Sequence, residues 1–122
     1  MIKKATKKYS PEQVKVSNML IDYAKPLLDA APDLKAKEEV MFVAAFVWNA
    51  TLKSKHKGEQ MLADIRKSLS GRKDNLGNTS TIKLLIDRKT TLYPDEKQFI
   101  VDFEVSRADN GIFITADFED IQ

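Results

Sequence analysis

Residues 38–52, EEVMFVAAFVWNATL, include nine consecutive apolar residues at positions 40–48, and this stretch decides the fold. A half-buried strand would alternate apolar and polar residues, and a surface helix would keep one polar face. Because the run does neither, it predicts an element that protein surrounds on every side. Its length and its alanines favour a helix over a buried strand. Charged residues bound the run, and a membrane-spanning helix needs about 20 apolar residues, so no membrane contact is predicted.

The aromatic residues of this central helix give the sharpest prediction about its surroundings. If Phe42, Phe46 and Trp48 all lie in a dry core, replacing Phe46 with alanine should cost about 3–5 kcal/mol, including the cavity that it leaves. The other helices and the C-terminal strands are expected to form that core.

A first helix is predicted before the central one. Ser10 suits its N-cap, Pro11 suits its first position, and Gln13 completes a capping box. Pro26 removes an amide donor from the helix interior, which predicts a kink or a break in the preceding turn. After the central helix, residues 59–70 have the apolar spacing of a shorter amphipathic helix.

The segment 81–93 fits either a helix or a strand. Its apolar residues alternate over 82–86 as in a strand, but Leu85 breaks the alternation. Tyr93-Pro94 is also typical of a helix end, because a residue before proline avoids the helical conformation. We therefore predict a helix that ends at Tyr93.

From Gln98 onwards the hydrophobic period changes to two, which predicts an antiparallel β-hairpin. The apolar residues are odd-numbered over 99–105 and even-numbered over 112–118, so both sets face the helices only if the loop has an even length. Asn110-Gly111 as a type I′ turn is the simplest solution, and it places Arg107 opposite Ile114. A hairpin alone is marginal in water, so we expect it to pack on the helices. A further strand along its edge would be either residues 82–88, if that segment were a strand, or the same hairpin of a second subunit.

The predicted fold class is therefore α+β. Three or four helices surround residues 38–52, and an antiparallel hairpin follows at the C-terminus. Residues 1–9 are predicted to be a flexible basic arm, and residues 10–122 a single domain, since 122 residues can bury a core without disulfides or metals.

Charge is distributed unevenly along the chain. Residues 1–89 contain 18 Lys and Arg against 10 Asp and Glu, whereas residues 90–122 contain 2 against 8. This asymmetry predicts either complementarity within the fold, which is the favoured interpretation, or two surfaces for different partners.

Acidic residues alternate on the predicted outer face of the hairpin: Asp102, Glu104, Asp117 and Glu119. With a two-residue turn, Glu104 lies opposite Asp117 and Asp102 lies opposite Glu119, and like charges directly opposite are destabilising. Such carboxylates suit a hard cation such as magnesium. A solvated polar face is the simpler interpretation and the favoured one.

A basic patch is predicted around the loop that follows the central helix. It comprises Lys53, Lys55, His56, Lys57, Arg66, Lys67, Arg72 and Lys73. Such a surface would suit the phosphates of nucleic acid through charge alone, without reading sequence. His56 is the only histidine and the chain has no cysteine, which excludes multi-histidine and thiolate metal sites. No cofactor is predicted.

No nucleophile, histidine and acid can be assigned together from their spacing, which favours a non-enzymatic protein. The predicted function is protein-protein contact, with self-association through the hairpin edge as one form of it. The alternatives are a nucleic-acid-associated protein that uses the basic patch and an enzyme with an acidic metal-dependent site on the hairpin. The absence of cysteine suits the cytoplasm, and no apolar signal-peptide core follows the basic N-terminus.

Overall fold

The computed structural model describes residues 9–72, 75–109 and 111–120. In these ranges the chain forms four α-helices and then a two-stranded antiparallel hairpin. The elements are α1 (Pro11–Ala30), α2 (Leu34–Lys53), α3 (Glu59–Ser68), α4 (Thr79–Leu92), β1 (Gln98–Ala108) and β2 (Gly111–Asp120). The predicted α+β class is confirmed, and so is the helical interpretation of residues 81–93.

Helix α1 begins as its sequence predicts. The Ser10 hydroxyl accepts a hydrogen bond from the Gln13 amide, and the Gln13 side chain accepts one from the Ser10 amide. This capping box uses backbone donors that the first turn of a helix leaves without partners. Tyr9, the last residue of the predicted basic arm, stacks on Phe113 at 3.6 Å between ring centroids. Residues 1–8 lie outside the described residues.

The predicted break before Pro26 does not occur, because α1 continues unbroken to Ala30. Proline has no amide hydrogen, so Pro26 cannot donate to the carbonyl of Asp22 one turn earlier. Arg88 of α4 supplies the missing donor and a second hydrogen bond beside it. Its Nη2 donates to the Asp22 carbonyl at 2.6 Å, and its Nε donates to the neighbouring Tyr23 carbonyl at 2.8 Å.

Helix α2 lies at the centre of the core and packs against α1, α3, α4 and β1. Trp48 is fully buried, meets Tyr23 edge-on with ring centroids 5.1 Å apart, and donates through Nε1 to the Gln98 carbonyl. Phe42, in contrast, is 55% exposed, and Phe46 is 36% exposed. The prediction that protein surrounds this helix on every side is therefore wrong. The elements packed on α2 cover its Trp48 side and leave the two phenylalanines partly exposed, so the dry core that the predicted cost of Phe46→Ala requires is not present around Phe46.

The hairpin pairs in a register different from the predicted one. Ala108 pairs with Gly111, and Arg107 pairs with Ile112, so the predicted Asn110-Gly111 turn is wrong and Gly111 is the first residue of β2. Asn110 itself lies outside the described residues. Gly111 has a φ of +143°, a backbone conformation that favours glycine.

A second departure from the predicted register is an irregularity at Val101, which shifts the pairing of residues 98–100 by one residue. The pairing shifts between Ile100, which lies opposite Phe118, and Asp102, which lies opposite Asp117. Such a bulge inserts one residue and turns the following side chains to the other face. Ile100 is consequently buried, and Val101 is 58% exposed.

Two polar side chains dock the hairpin on the helices at its outer edges. The side-chain amide of Asn49 on α2 donates to the Ile100 carbonyl at 2.9 Å and accepts from the Ile100 amide at 2.8 Å. On the other edge, the buried Ser17 hydroxyl of α1 accepts from the Ile114 amide at 2.9 Å. These contacts cover β1 at Ile100 and β2 at Ile114, and a dimer through the hairpin edge stays a prediction.

Candidate functional site

The four acidic residues predicted as a site, Asp102, Glu104, Asp117 and Glu119, are all exposed on the outer face of the hairpin. Asp102 lies opposite Asp117, whereas Glu104 lies opposite Thr115 and Glu119 opposite Phe99, so the predicted pairing of these carboxylates is wrong. The pairing of Ala108 with Gly111, one residue earlier than the predicted turn allows, changes the partners of Asp102 and Glu104. The shift at Val101 then changes the partner of Glu119. Within the described residues, no group of three or more acidic or histidine side chains could hold a metal ion. The acidic metal-dependent site therefore stays a prediction.

The predicted basic patch separates into two groups on different sides of α3. Lys53, Lys55 and His56 line one groove of about 420 Å³, which Asp64 and the exposed Phe46 also line. Lys57 is exposed in the same loop.

The second basic group lies on another side of α3. Arg66, Lys67 and Arg72 line a groove of about 470 Å³, and Lys73 lies outside the described residues. The Arg72 guanidinium donates to the Glu39 carboxylate at 2.8 Å and lies 5.7 Å from the ring centroid of Phe42. This cation therefore already contacts a carboxylate and an aromatic ring, and nucleic-acid binding through the basic patch stays a prediction.

A third surface was not predicted as a site, and we call it the outer α2 surface. It consists of Glu38, Phe42, Phe46 and Lys53 along one face of α2. An acidic residue and a lysine therefore bound an exposed apolar strip at opposite ends. The sequence signal was the unbroken apolar run, which indicates an apolar surface but not which element covers it.

A fourth surface is a groove of about 570 Å³ between α1 and β2, which we call the α1–β2 groove. Half-buried apolar side chains form its floor, and carboxylates and amides lie at its rim. Its lining residues include Glu12, Val16, Met19, Glu96, Ala116, Asp117 and Phe118. The size falls within the range of about 300–1,000 Å³ that is usual for binding pockets in proteins.

Lys89 is the most deeply buried charged residue of the described chain, with 2% of its surface exposed. Its ammonium donates to the carbonyls of Tyr93 at 2.6 Å and Glu96 at 2.8 Å, and lies 4.6 Å from the Trp48 ring centroid. Burial lowers its pKa, and the Glu96 carboxylate opposes that effect. Because its contacts are within the fold, we assign Lys89 a structural role. The signal that could have identified it is its position on the buried stripe of α4 with Ile82 and Leu85.

Two tyrosines give the protein a predicted alkaline instability. Burial, together with the hydrogen bond from its hydroxyl to Asp22, raises the pKa of Tyr93 to about 12, and burial also raises the pKa of Tyr23. An unfolded tyrosine loses its proton near about pH 10, so alkali favours the unfolded chain. We expect the free energy of unfolding to fall as pH rises from about 10 towards 12, and Tyr93→Phe to fall less steeply. Urea unfolding at a series of pH values tests this, and equal slopes for both proteins would contradict it.

One negative finding concerns membranes. Among the described residues, no helix is both long and apolar enough to cross a bilayer.

Comparisons with protein-family models, with curated proteins and with solved structures found no match. Function therefore has to be inferred from the surfaces themselves.

Proposed function

We propose that this chain is a non-enzymatic cytoplasmic protein that acts through protein contact, and that its outer α2 surface pairs with the same surface of a second copy. The observation that carries the proposal is the exposure of Phe42 and Phe46, 55% and 36%, on adjacent turns of one helix. Exposed apolar side chains that cluster in this way are typical of interaction sites. The absence of cysteine supports the cytoplasmic setting.

The charges at the two ends of this surface favour a second copy as the partner. A two-fold axis near Phe46 would run the two α2 helices antiparallel, with the same residues contributed by each copy. Glu38 and Lys53 lie at nearly equal distances along the helix on either side of Phe46. Each Glu38 would then face the Lys53 of the second copy, so the surface is complementary to itself.

The contacts of β1 favour this helix surface over the hairpin edge. Where β1 runs beside α2, the Asn49 side chain already bonds both main-chain groups of Ile100. A strand from a second copy would have to displace those bonds, whereas contact through Phe42 and Phe46 would not.

The oligomeric state tests the proposal directly. In sedimentation equilibrium at concentrations up to about 1 mM, which covers weak contacts, we expect the mass to approach twice the 13.8 kDa of one chain. Phe46→Asp should remain at the mass of one chain, because it places a carboxylate at the centre of the apolar contact. The matched control is Val14→Asp, which changes an exposed valine of α1 and should still dimerise.

A charge exchange tests the antiparallel arrangement. Glu38→Lys and Lys53→Glu should each weaken the dimer by placing like charges opposite each other, and the double variant should restore it. A wild-type chain that stays monomeric, or a Phe46→Asp variant that dimerises like the wild type, would refute the proposal.

A further inference from the structure

The α1–β2 groove contains an open strand edge. The Ile114 amide points away from β1, since it donates to Ser17 of α1. In an antiparallel ladder, the main-chain groups of every second residue point the same way, so those of Ala116 and Phe118 also face the groove. Among the described residues, neither has a side-chain partner for its outward main-chain groups, and both line the groove. An unpaired edge of this kind is a template for an added strand.

The surroundings of this edge specify the chemistry of an added strand. Ala116 and Phe118 present their side chains on the core face, where Val16 and Met19 of α1 continue the apolar floor. The alternate residues of β2, including Asp117 and Glu119, point to the outer face. A strand lying beside β2 would therefore place every second side chain over apolar surface and the others beside carboxylates.

We propose that the α1–β2 groove binds an extended segment of a partner protein in which apolar residues alternate with Lys or Arg, by adding it as a third strand to β2. Glu12 and Glu96 at the rim add negative charge to that of Asp117, and Lys15 opposes it. At about 3.4 Å per residue, the edge beyond Ile114 accommodates about six residues. This surface is separate from the outer α2 surface, so the two proposals can fail independently.

A second copy of the chain is a poorer occupant of this groove. Symmetric antiparallel pairing of β2 with itself would bring Asp117 and Glu119 of one copy beside the acidic residues of the other. Like charges on neighbouring strands are destabilising. A segment with Lys or Arg at those positions would instead place opposite charges beside each other, which is stabilising.

The probe that tests the proposal is a fluorescent hexapeptide, Val-Lys-Val-Lys-Val-Lys, titrated with the full chain in low salt. Two further versions carry N-methyl groups, one on the valine amides and one on the lysine amides. Because only alternate amides of an added strand face β2, one methylated version should bind at least about tenfold more weakly and the other nearly as well as the parent. Equal binding of both methylated peptides, or no binding of the parent, would overturn the proposal.

Substitutions in the chain test whether the peptide binds in the α1–β2 groove. Asp117→Asn should weaken binding about threefold or more, because it removes one carboxylate beside the added strand. The control Asp87→Asn makes the same charge change on the exposed face of α4 and should leave binding unchanged, as should Phe46→Asp. Bound peptide should also slow hydrogen exchange at the amides of Ala116 and Phe118. Equal weakening by Asp87→Asn, or unchanged exchange at both amides, would show non-specific charge attraction and refute strand addition.

Discussion

Replacing Lys89 with methionine is expected to lower the free energy of unfolding by about 3 kcal/mol. The ammonium donates two hydrogen bonds, to the carbonyls of Tyr93 and Glu96, and contacts the face of Trp48. Hydrogen bonds to a charged group contribute about 1.5–3 kcal/mol each, and the contact with the ring adds about 0.5–2 kcal/mol. Methionine carries no charge, so the variant no longer has the desolvation cost of a buried ammonium. This gain offsets part of the lost interactions, and the net loss in the free energy of unfolding is about 3 kcal/mol.

The measurement is urea unfolding, with Lys83→Met as the matched control. Lys83 lies on the exposed side of the same helix, so its replacement should change stability by about 0.5 kcal/mol or less. If the two variants were equally stable, the carbonyls of Tyr93 and Glu96 would not depend on Lys89, and its structural role would be refuted.

The second large effect is expected at Arg88, and it should depend on Pro26. Arg88→Ala should cost about 2 kcal/mol, because it removes two charge-assisted hydrogen bonds to the carbonyls of Asp22 and Tyr23. In a Pro26→Ala background, the restored amide can donate to the Asp22 carbonyl instead. We therefore expect the cost of Arg88→Ala to be smaller there, with a coupling energy of about 1 kcal/mol.

A double-mutant cycle measured by urea unfolding tests this coupling. Its control is Arg66→Ala, which removes an exposed arginine of α3 and should show no coupling to Pro26. Strict additivity of Arg88→Ala and Pro26→Ala would mean that Arg88 does not compensate for the proline.

The sequence predicted correctly those parts of the fold that depend on interactions between residues close together in the chain. The capping box of Ser10 and Gln13 depends on residues within one turn, and the change of hydrophobic period at Gln98 depends on neighbours along the chain. The hairpin register depended on the position of the turn, one residue earlier than predicted, and on the irregularity at Val101. The alternation reveals neither, because moving a two-residue turn by one position keeps the same side chains on each face. The predicted pairing was therefore wrong although the hairpin itself was right.

The candidate surfaces could be predicted only in part, because grouping depends on tertiary packing. The acidic and basic residues are visible in the sequence, but α3 separates the basic ones into two grooves. The apolar run that contains Phe46 suggested complete burial, since nothing local distinguishes a core face from a contact face. Arg88 was missed because its partners are backbone carbonyls, which have no sequence signature. Lys89 was missed although it lies on the buried stripe of α4.

Trp48 is the only tryptophan of the chain, and it stands where helix and hairpin meet. Its indole emission therefore reports on a single junction, the attachment of the strand at Gln98 to the buried helix. Loss of that attachment would admit water to the ring and shift the emission to longer wavelength, even if the helices stayed intact. Fluorescence and circular dichroism recorded together would thus separate departure of the hairpin from melting of the helices.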